Sequence, residues 1–286
     1  MAFPHPAEID ALVIFTGRGG SGTRLLSQLA VDAGMFIGND VNKSGDSTEW
    51  VDLVYRMVVE TGGHRDLPSG SRYRRELRAR AKQILADAPP GTARVWGLKL
   101  PETMLVLPLL IDAFPHAKVV HLTRHPVSSS LRRTHMTSRL GNPVGDVALP
   151  AAYRYSSRAA SELTTDEAYL HNAYSWNFQV ARVLHYARCV LGQEQYLEIK
   201  YEDVCTRPDR VLGAVQSHVG CGRDRGGASL PVDLARVGAW DPRDLRVQAI
   251  WDICGRTAEL LGYTRDPDGS AHVHVRHRDP IAEDRA

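Results

Sequence analysis

Residues 11–16, ALVIFT, form one continuous apolar run with β-branched members, the pattern of a strand buried on both faces. A glycine-rich stretch follows. Leu25, Leu26, Leu29, Ala30 and Ala33 then recur at helical spacing, and Gly34 is placed to end that helix. The short run MFIG (35–38) fits a second strand or an apolar anchor equally well. Further on, STEWVDLVYRMVVE is helical, with Ser47 or Thr48 as its cap, and a second helix covers about residues 71–88.

The next strands predicted are ARVWGLKL and HAKVVHLTR, separated by an apolar helix at 102–113, and PVSSSLRRTHM starts another helix with Pro126 in its first turn. Residues 139–165 show no stable period and read as an irregular, mobile substrate lid. This segment ends at a capping box, Thr164-x-x-Glu167. Beyond it, Tyr169, Ala173, Trp176, Val180, Val183, Ala187 and Val190 form a core-facing helical stripe. EQYLEIKYED supplies another strand, helices are expected near 207–218 and 243–261, and Asp241-Pro242 and Gly262 bracket the last. Strands alternating with helices predict an α/β fold, three-layer α/β/α with a mainly parallel central sheet. One domain spans 1–263, and residues 264–286 form a charged, poorly ordered tail.

Composition changes this picture little. The chain has 286 residues, 43% hydrophobic and 24% charged, with a net charge of only +2, so any anion site is local and no nucleic-acid partner is indicated. The four cysteines are scattered and include no C-x-x-C pair, which argues against a zinc site or a disulfide framework. With neither a signal-like N-terminus nor a long apolar span, the chain reads as cytoplasmic, without a membrane partner, and as a monomer or homodimer. The arginines of the 71–88 helix read first as a solvated basic face and second as an acidic-substrate surface. HVHVRH in the tail reads as part of that tail rather than as a metal site.

The chemistry begins at FTGRGGSGTRLL (15–26), a glycine-rich turn between strand and helix whose backbone N–H groups suit an anion. A P-loop kinase would need a lysine where Thr23 stands, and an aspartate to hold Mg²⁺ where a later strand ends in Arg124; Glu202 and Asp203 are weak substitutes. A dinucleotide-binding domain needs an acidic residue about 20 positions on. Asp40 satisfies that count, but this reading leaves the later arginines unexplained. A non-catalytic nucleotide-binding module is a third alternative.

Taken in order, GSGTRLL, GLKLPE, VVHLTRHPVSSSLRR, YLEIKYEDV and ARVGAWDPRDL…LGY resemble the family of sulfotransferases that use 3′-phosphoadenosine 5′-phosphosulfate (PAPS). The likeness runs from about residue 11 to 263 and is closer to the bacterial and Golgi or carbohydrate-type members. It implies a P-loop-NTPase-like sulfotransferase fold, PAPS as sulfuryl donor with no metal required, and a sugar or small-molecule hydroxyl as acceptor.

The resemblance implies that the loop, Arg18, Gly19, Gly20, Ser21, Gly22, Thr23 and Arg24, wraps the 5′-phosphosulfate. Arg124 meets the 3′-phosphate through its planar fork, Tyr201 contacts adenine, and Arg236 closes over the nucleotide. Two positions depart from the family. Gly20 stands where a loop Lys or Arg is usual, so the cation is sought in Arg18 or Lys99, then Arg24. Arg132 stands where a phosphate-binding serine is usual, leaving Ser130 or Arg132 itself for the second contact. The reaction expected is in-line displacement at sulfur, with positive groups at the leaving phosphate and one general base for the acceptor proton. Pro101 occupies the position of the histidine base of cytosolic relatives, so the base is sought in Glu49, then Asp46, then Glu102. His121 is expected to pack at the sheet and His125, in place of a common aspartate, to shape the loop after Arg124.

Overall fold

The computed structural model describes residues 8–62, 71–90, 92, 94–221, 230 and 232–266. Among them, four parallel strands form one sheet in the order β2-β1-β3-β4: β1 (Leu12–Thr16), β2 (Trp96–Lys99), β3 (Lys118–Thr123) and β4 (Tyr196–Lys200). In register, Ile14 lies beside Leu98 and Val119, and Leu122 beside Ile199. The MFIG run is an anchor with one bridge: Phe36 pairs with Trp96 at the sheet edge, while Met35 and Ile37 are buried.

Every residue of β1 is buried, as its unbroken apolar run requires, and alternate side chains serve two cores. Leu12 and Ile14 point into a large cluster built with α2 (Val51–Thr61), α3 (Ser71–Ala86), α4 (Thr103–Ala113), α7 (Ala168–Cys189) and α10 (Leu245–Leu260). Val13 and Phe15 point into a smaller one with α1 (Thr23–Asp32), α8 (Tyr201–Thr206) and α9 (Pro208–Val219). The result is the three-layer α/β/α arrangement. The stripe on α7 is buried from Ala173 to Ala187, whereas Val190 at its end is 57% exposed.

Several local expectations give way to tertiary structure. Residues 139–165 are not irregular: they hold α6 (Gly145–Tyr155), with Leu149 and Ala152 fully buried, and a 3₁₀ turn at Ala160–Thr164. Thr164 ends that turn and makes no capping box; Glu167 precedes α7 without a side-chain cap. Ser47 does not cap α2 either, because its hydroxyl donates to the carbonyl of Ile37 at 2.6 Å and a 3₁₀ turn (Thr48–Trp50) intervenes. Asp244, not Asp241, caps α10 by accepting from the Arg246 N–H. The helix begun by Pro126 is short: α5 spans only Pro126–Ser130. Residues 267–286, including HVHVRH, lie outside the described residues.

Because all four strands run parallel, their C-terminal ends share one edge, where β1 lies between β2 and β3. That edge is where an open α/β sheet takes its ligands. It brings together the glycine loop after Thr16, Lys99 at the end of β2, Arg124 after β3 and Tyr201 after β4.

Candidate functional site

At this edge lies a cleft of about 600 Å³. Of the residues singled out in the sequence, Gly20, Gly22, Thr23, Arg24, Asp46, Arg124, Arg132, Tyr201 and Arg236 line it. The loop closes onto α1 through Gly22, which takes φ +92°; a Cβ there would also overlap the ring of Tyr201. Glycine is therefore required both for the turn and for the close approach of the aromatic ring. Ser21 is buried, its hydroxyl 3.4 Å from that of Ser129, and Thr23 opens the helix at the lip of the cleft.

Arg124 is 2% exposed and lies over Tyr201, its guanidinium carbon 3.9 Å from the ring centroid. One of its nitrogens donates to the carbonyl of Arg236 at 3.0 Å, while Nε and Nη1 have no partner among the described residues. Burial holds its pKa below the usual arginine value. The backbone beneath it is fixed by Trp176, whose indole N–H donates to the Arg124 carbonyl at 3.0 Å. His125 caps α5 through Nδ1, donates its Nε2–H to the Thr264 carbonyl at 2.8 Å, and stacks on Trp240 at 4.3 Å. Burial pushes its pKa down to about 4 and that of His121, beside Tyr196, to about 3.

Arg18 does not line the cleft. It runs beneath the loop, 1% exposed, and donates to Asn172 Oδ1 at 2.8 Å and Ser138 Oγ at 2.9 Å. Its Nε and Nη1 are without a partner among the described residues, and Nη1 sits 3.5 Å from where a Cβ of Gly20 would stand. Desolvation lowers its pKa to about 10, so it remains a cation at neutral pH. Gly19 packs against the imidazole of His135.

The carboxylates sort differently from the expected order. Glu49 lies outside the cleft: its Oε1 accepts from the backbone and side-chain N–H of Asn39 at 3.1 and 3.3 Å, and Oε2 faces Gly38. Asp46 is in the cleft and pairs with Lys99, Nζ to Oδ1 2.5 Å. Lys99 itself is buried behind Asp46, donates also to the Ser44 carbonyl at 3.0 Å, and has its pKa lowered by burial against the pull of Asp46. The loop carrying Asp46 is stitched to β2 by Ser47, whose N–H donates to the Lys99 carbonyl and whose hydroxyl accepts from the Lys99 N–H. Glu102 is 2% exposed and off the cleft wall; burial pushes its carboxyl up to about 7. Glu202 is occupied by the His125 N–H at 3.0 Å and the Tyr263 hydroxyl at 3.1 Å. Among the described residues no His, Cys, Asp or Glu cluster is arranged to hold a metal.

Ser130 is fully buried and off the cleft, so of the two residues considered for the second anion contact only Arg132 reaches it. Arg133, His135, Ser44 and Asp233 also line the cleft and were missed by sequence reasoning. The signal for the first two lay in RRTHM, hidden by reading that segment as helix. The chain leaves the helix after Ser130 and folds back over the glycine loop instead. His135, its pKa lowered by burial and by Arg18 to about 4, is neutral there. Arg236 is half exposed and paired with Asp233 at 2.6 Å.

A family model described as the sulfotransferase family matches residues 55–224, more than half of the chain. Among solved structures, a sulfotransferase from Alicyclobacillus acidocaldarius aligns over 92% of this chain and 98% of its own, at 15% identity and TM-score 0.51. A sulfotransferase from Mycobacterium avium aligns over 89% and 77%, at 14% identity and TM-score 0.49. The sulfotransferase domain of the Synechococcus olefin synthase aligns over 94% and 87%, at 17% identity and TM-score 0.41. At such identities the first of these likenesses speaks for the fold, and the other two add no argument. No curated protein matches the chain.

Proposed function

The chain belongs to the sulfotransferase family, and from that premise we propose that it moves the sulfuryl group of PAPS to a hydroxyl of a small molecule or sugar. One observation carries the choice of donor. The cleft holds two groups suited to anions: the N–H groups of the glycine loop at the start of α1, and a buried Arg124 whose Nε and Nη1 make no hydrogen bond among the described residues. A nucleotide with a 5′-phosphosulfate and a second phosphate on the ribose answers both.

In this reading the loop backbone and Thr23 hold the phosphosulfate, Arg124 and Arg132 hold the 3′-phosphate, and Tyr201 packs against the nucleoside. Arg18 supplies the positive charge beneath Gly20 as the bridging oxygen leaves sulfur. The acceptor oxygen bonds to sulfur as the sulfur–oxygen bond to the nucleotide breaks, and the bisphosphate departs with the bonding pair. Asp46, not Glu49, takes the acceptor proton, and Lys99 orients its carboxylate.

Calorimetry with adenosine 3′,5′-bisphosphate and with ATP tests the donor site. Binding of the bisphosphate without Mg²⁺ is expected, and preference for ATP with Mg²⁺ would sink the proposal. Transfer of labelled sulfate from PAPS across an acceptor screen tests the activity and identifies the acceptor.

A further inference from the structure

Helix α7 sends Asn172 into the space behind the glycine loop, where it has no exposed surface. Its Oδ1 accepts from Arg18 Nη2 at 2.8 Å. Its Nδ2 donates to the carbonyls of Ser130 at 2.9 Å and Arg132 at 3.1 Å. One amide thus ties the cation under the loop to the segment that brings Arg132 into the cleft. It also satisfies the Ser130 carbonyl, the last of α5, from outside the helix.

The chemistry of the position is demanding. It needs an acceptor for a guanidinium and two donors for carbonyls, which a primary amide supplies and a carboxylate or a hydroxyl does not. The guanidinium is held at one nitrogen only. Arg18 Nε and Nη1 stay without partners among the described residues, and Nη1 approaches the underside of Gly20. A buried cation left so incompletely bonded costs free energy unless an anion completes it.

We propose that Asn172 is a positioning residue that couples the two anion sites of the cleft: it aims Arg18 at the loop and holds the Ser130–Arg132 segment within reach of the second phosphate. The inference rests on the reading of the cleft as a bisphosphate nucleotide site. A purely structural role would instead lower stability and leave ligand selectivity alone. Asn172→Asp separates the two roles: it keeps the shape and the acceptor for Arg18, loses both donors, and adds a negative charge under the loop.

The test titrates the full chain with adenosine 5′-monophosphate, adenosine 3′-monophosphate and the 3′,5′-bisphosphate, and records thermal melts without ligand. Thr257→Val is the control, removing the hydroxyl that donates to Asn177 of the same helix at 2.6 Å, away from the cleft. Asn172→Ala is expected to weaken each monophosphate on the order of tenfold and the bisphosphate by roughly the product of the two losses. Asn172→Asp is expected to weaken the 5′-monophosphate further than Asn172→Ala does, and Thr257→Val to change the melt but none of the three affinities. If Asn172→Ala is unfolded in the melts, Asn172→Asp decides, and unchanged 5′-monophosphate binding there overturns the proposal. Wild-type bisphosphate binding, with Asn172→Ala weakening only one monophosphate or neither, overturns the coupling alone. Absence of wild-type bisphosphate binding overturns the coupling and the nucleotide reading together.

Discussion

Helix α3 and the cleft are both rich in arginine, and they treat it in opposite ways. On α3, Arg72 pairs with Glu76, Arg74 with Asp112, Arg78 with Asp10 and Arg80 with Asp52, all at least a quarter exposed. Such pairs are screened by water and contribute little to stability. In the cleft, Arg124 and the Arg18 beneath it are almost fully buried, bonded to neutral groups, and left with free N–H groups among the described residues. The density of positive charge therefore does not mark the site. What sets these two arginines apart from those of α3 is unmet hydrogen-bonding capacity on a desolvated cation, which a ligand anion would supply.

The sharpest way to break this contrast is at the chemistry itself. Asp46→Asn is expected to cut sulfate transfer by roughly 10²- to 10⁴-fold while bisphosphate affinity holds. Glu49→Gln, bonded to Asn39 outside the cleft, is expected to leave turnover nearly intact. Loss of turnover in Glu49→Gln with Asp46→Asn nearly unaffected would return the base to Glu49. Next, Arg124→Ala is expected to weaken the bisphosphate about 100-fold in calorimetry, since two charge-assisted contacts go at once.

Glu102 is the acidic counterpart of the buried arginines. Its carboxyl, raised by burial from 4.5 to about 7, binds a proton in the folded state that the unfolded chain has already released between those values. Stability is therefore lost as pH climbs from about 4.5 to about 7 and the loss is constant above. Glu102→Gln is expected to gain on the order of 3 kcal/mol at pH 8 and nothing near pH 4, read from denaturant melts at both values. A gain independent of pH would refute the assignment. The smallest effect belongs to α3: Arg74→Ala is expected to leave the thermal melt nearly unchanged and bisphosphate affinity wholly so.

Four strands and the glycine loop were legible in the sequence because their signals are local. A continuous apolar run, or a glycine at a left-handed turn, carries its reason within a few residues. Arg124 was legible as a strand-end residue for the same cause. What the sequence did not show of the cleft wall is non-local. Asp46 and Glu49 stand three residues apart, and which of them faces the cleft is decided by Asp46 and Ser47 bonding to Lys99 at the end of the distant strand β2. His135 was hidden because α5 ends on bonds from Asn172, about 40 residues away in the chain. The segment 139–165 lacked a clear period because α6 carries Pro150 and buries small residues, Gly145, Ala148, Ala151 and Ala152, beside Leu149 and Tyr153.

Gly20 and Arg18 compete for one place. Gly20 adopts φ +89°, and the first atom of any side chain there would stand 3.5 Å from Arg18 Nη1. A lysine at position 20 alone would strain a left-handed backbone position and bring a second positive charge beside Arg18. The two positions are expected to be coupled: Gly20→Lys should cost less bisphosphate affinity together with Arg18→Ala than alone, read in calorimetry. A designer aiming to restore the common loop sequence would have to shorten residue 18 in the same step.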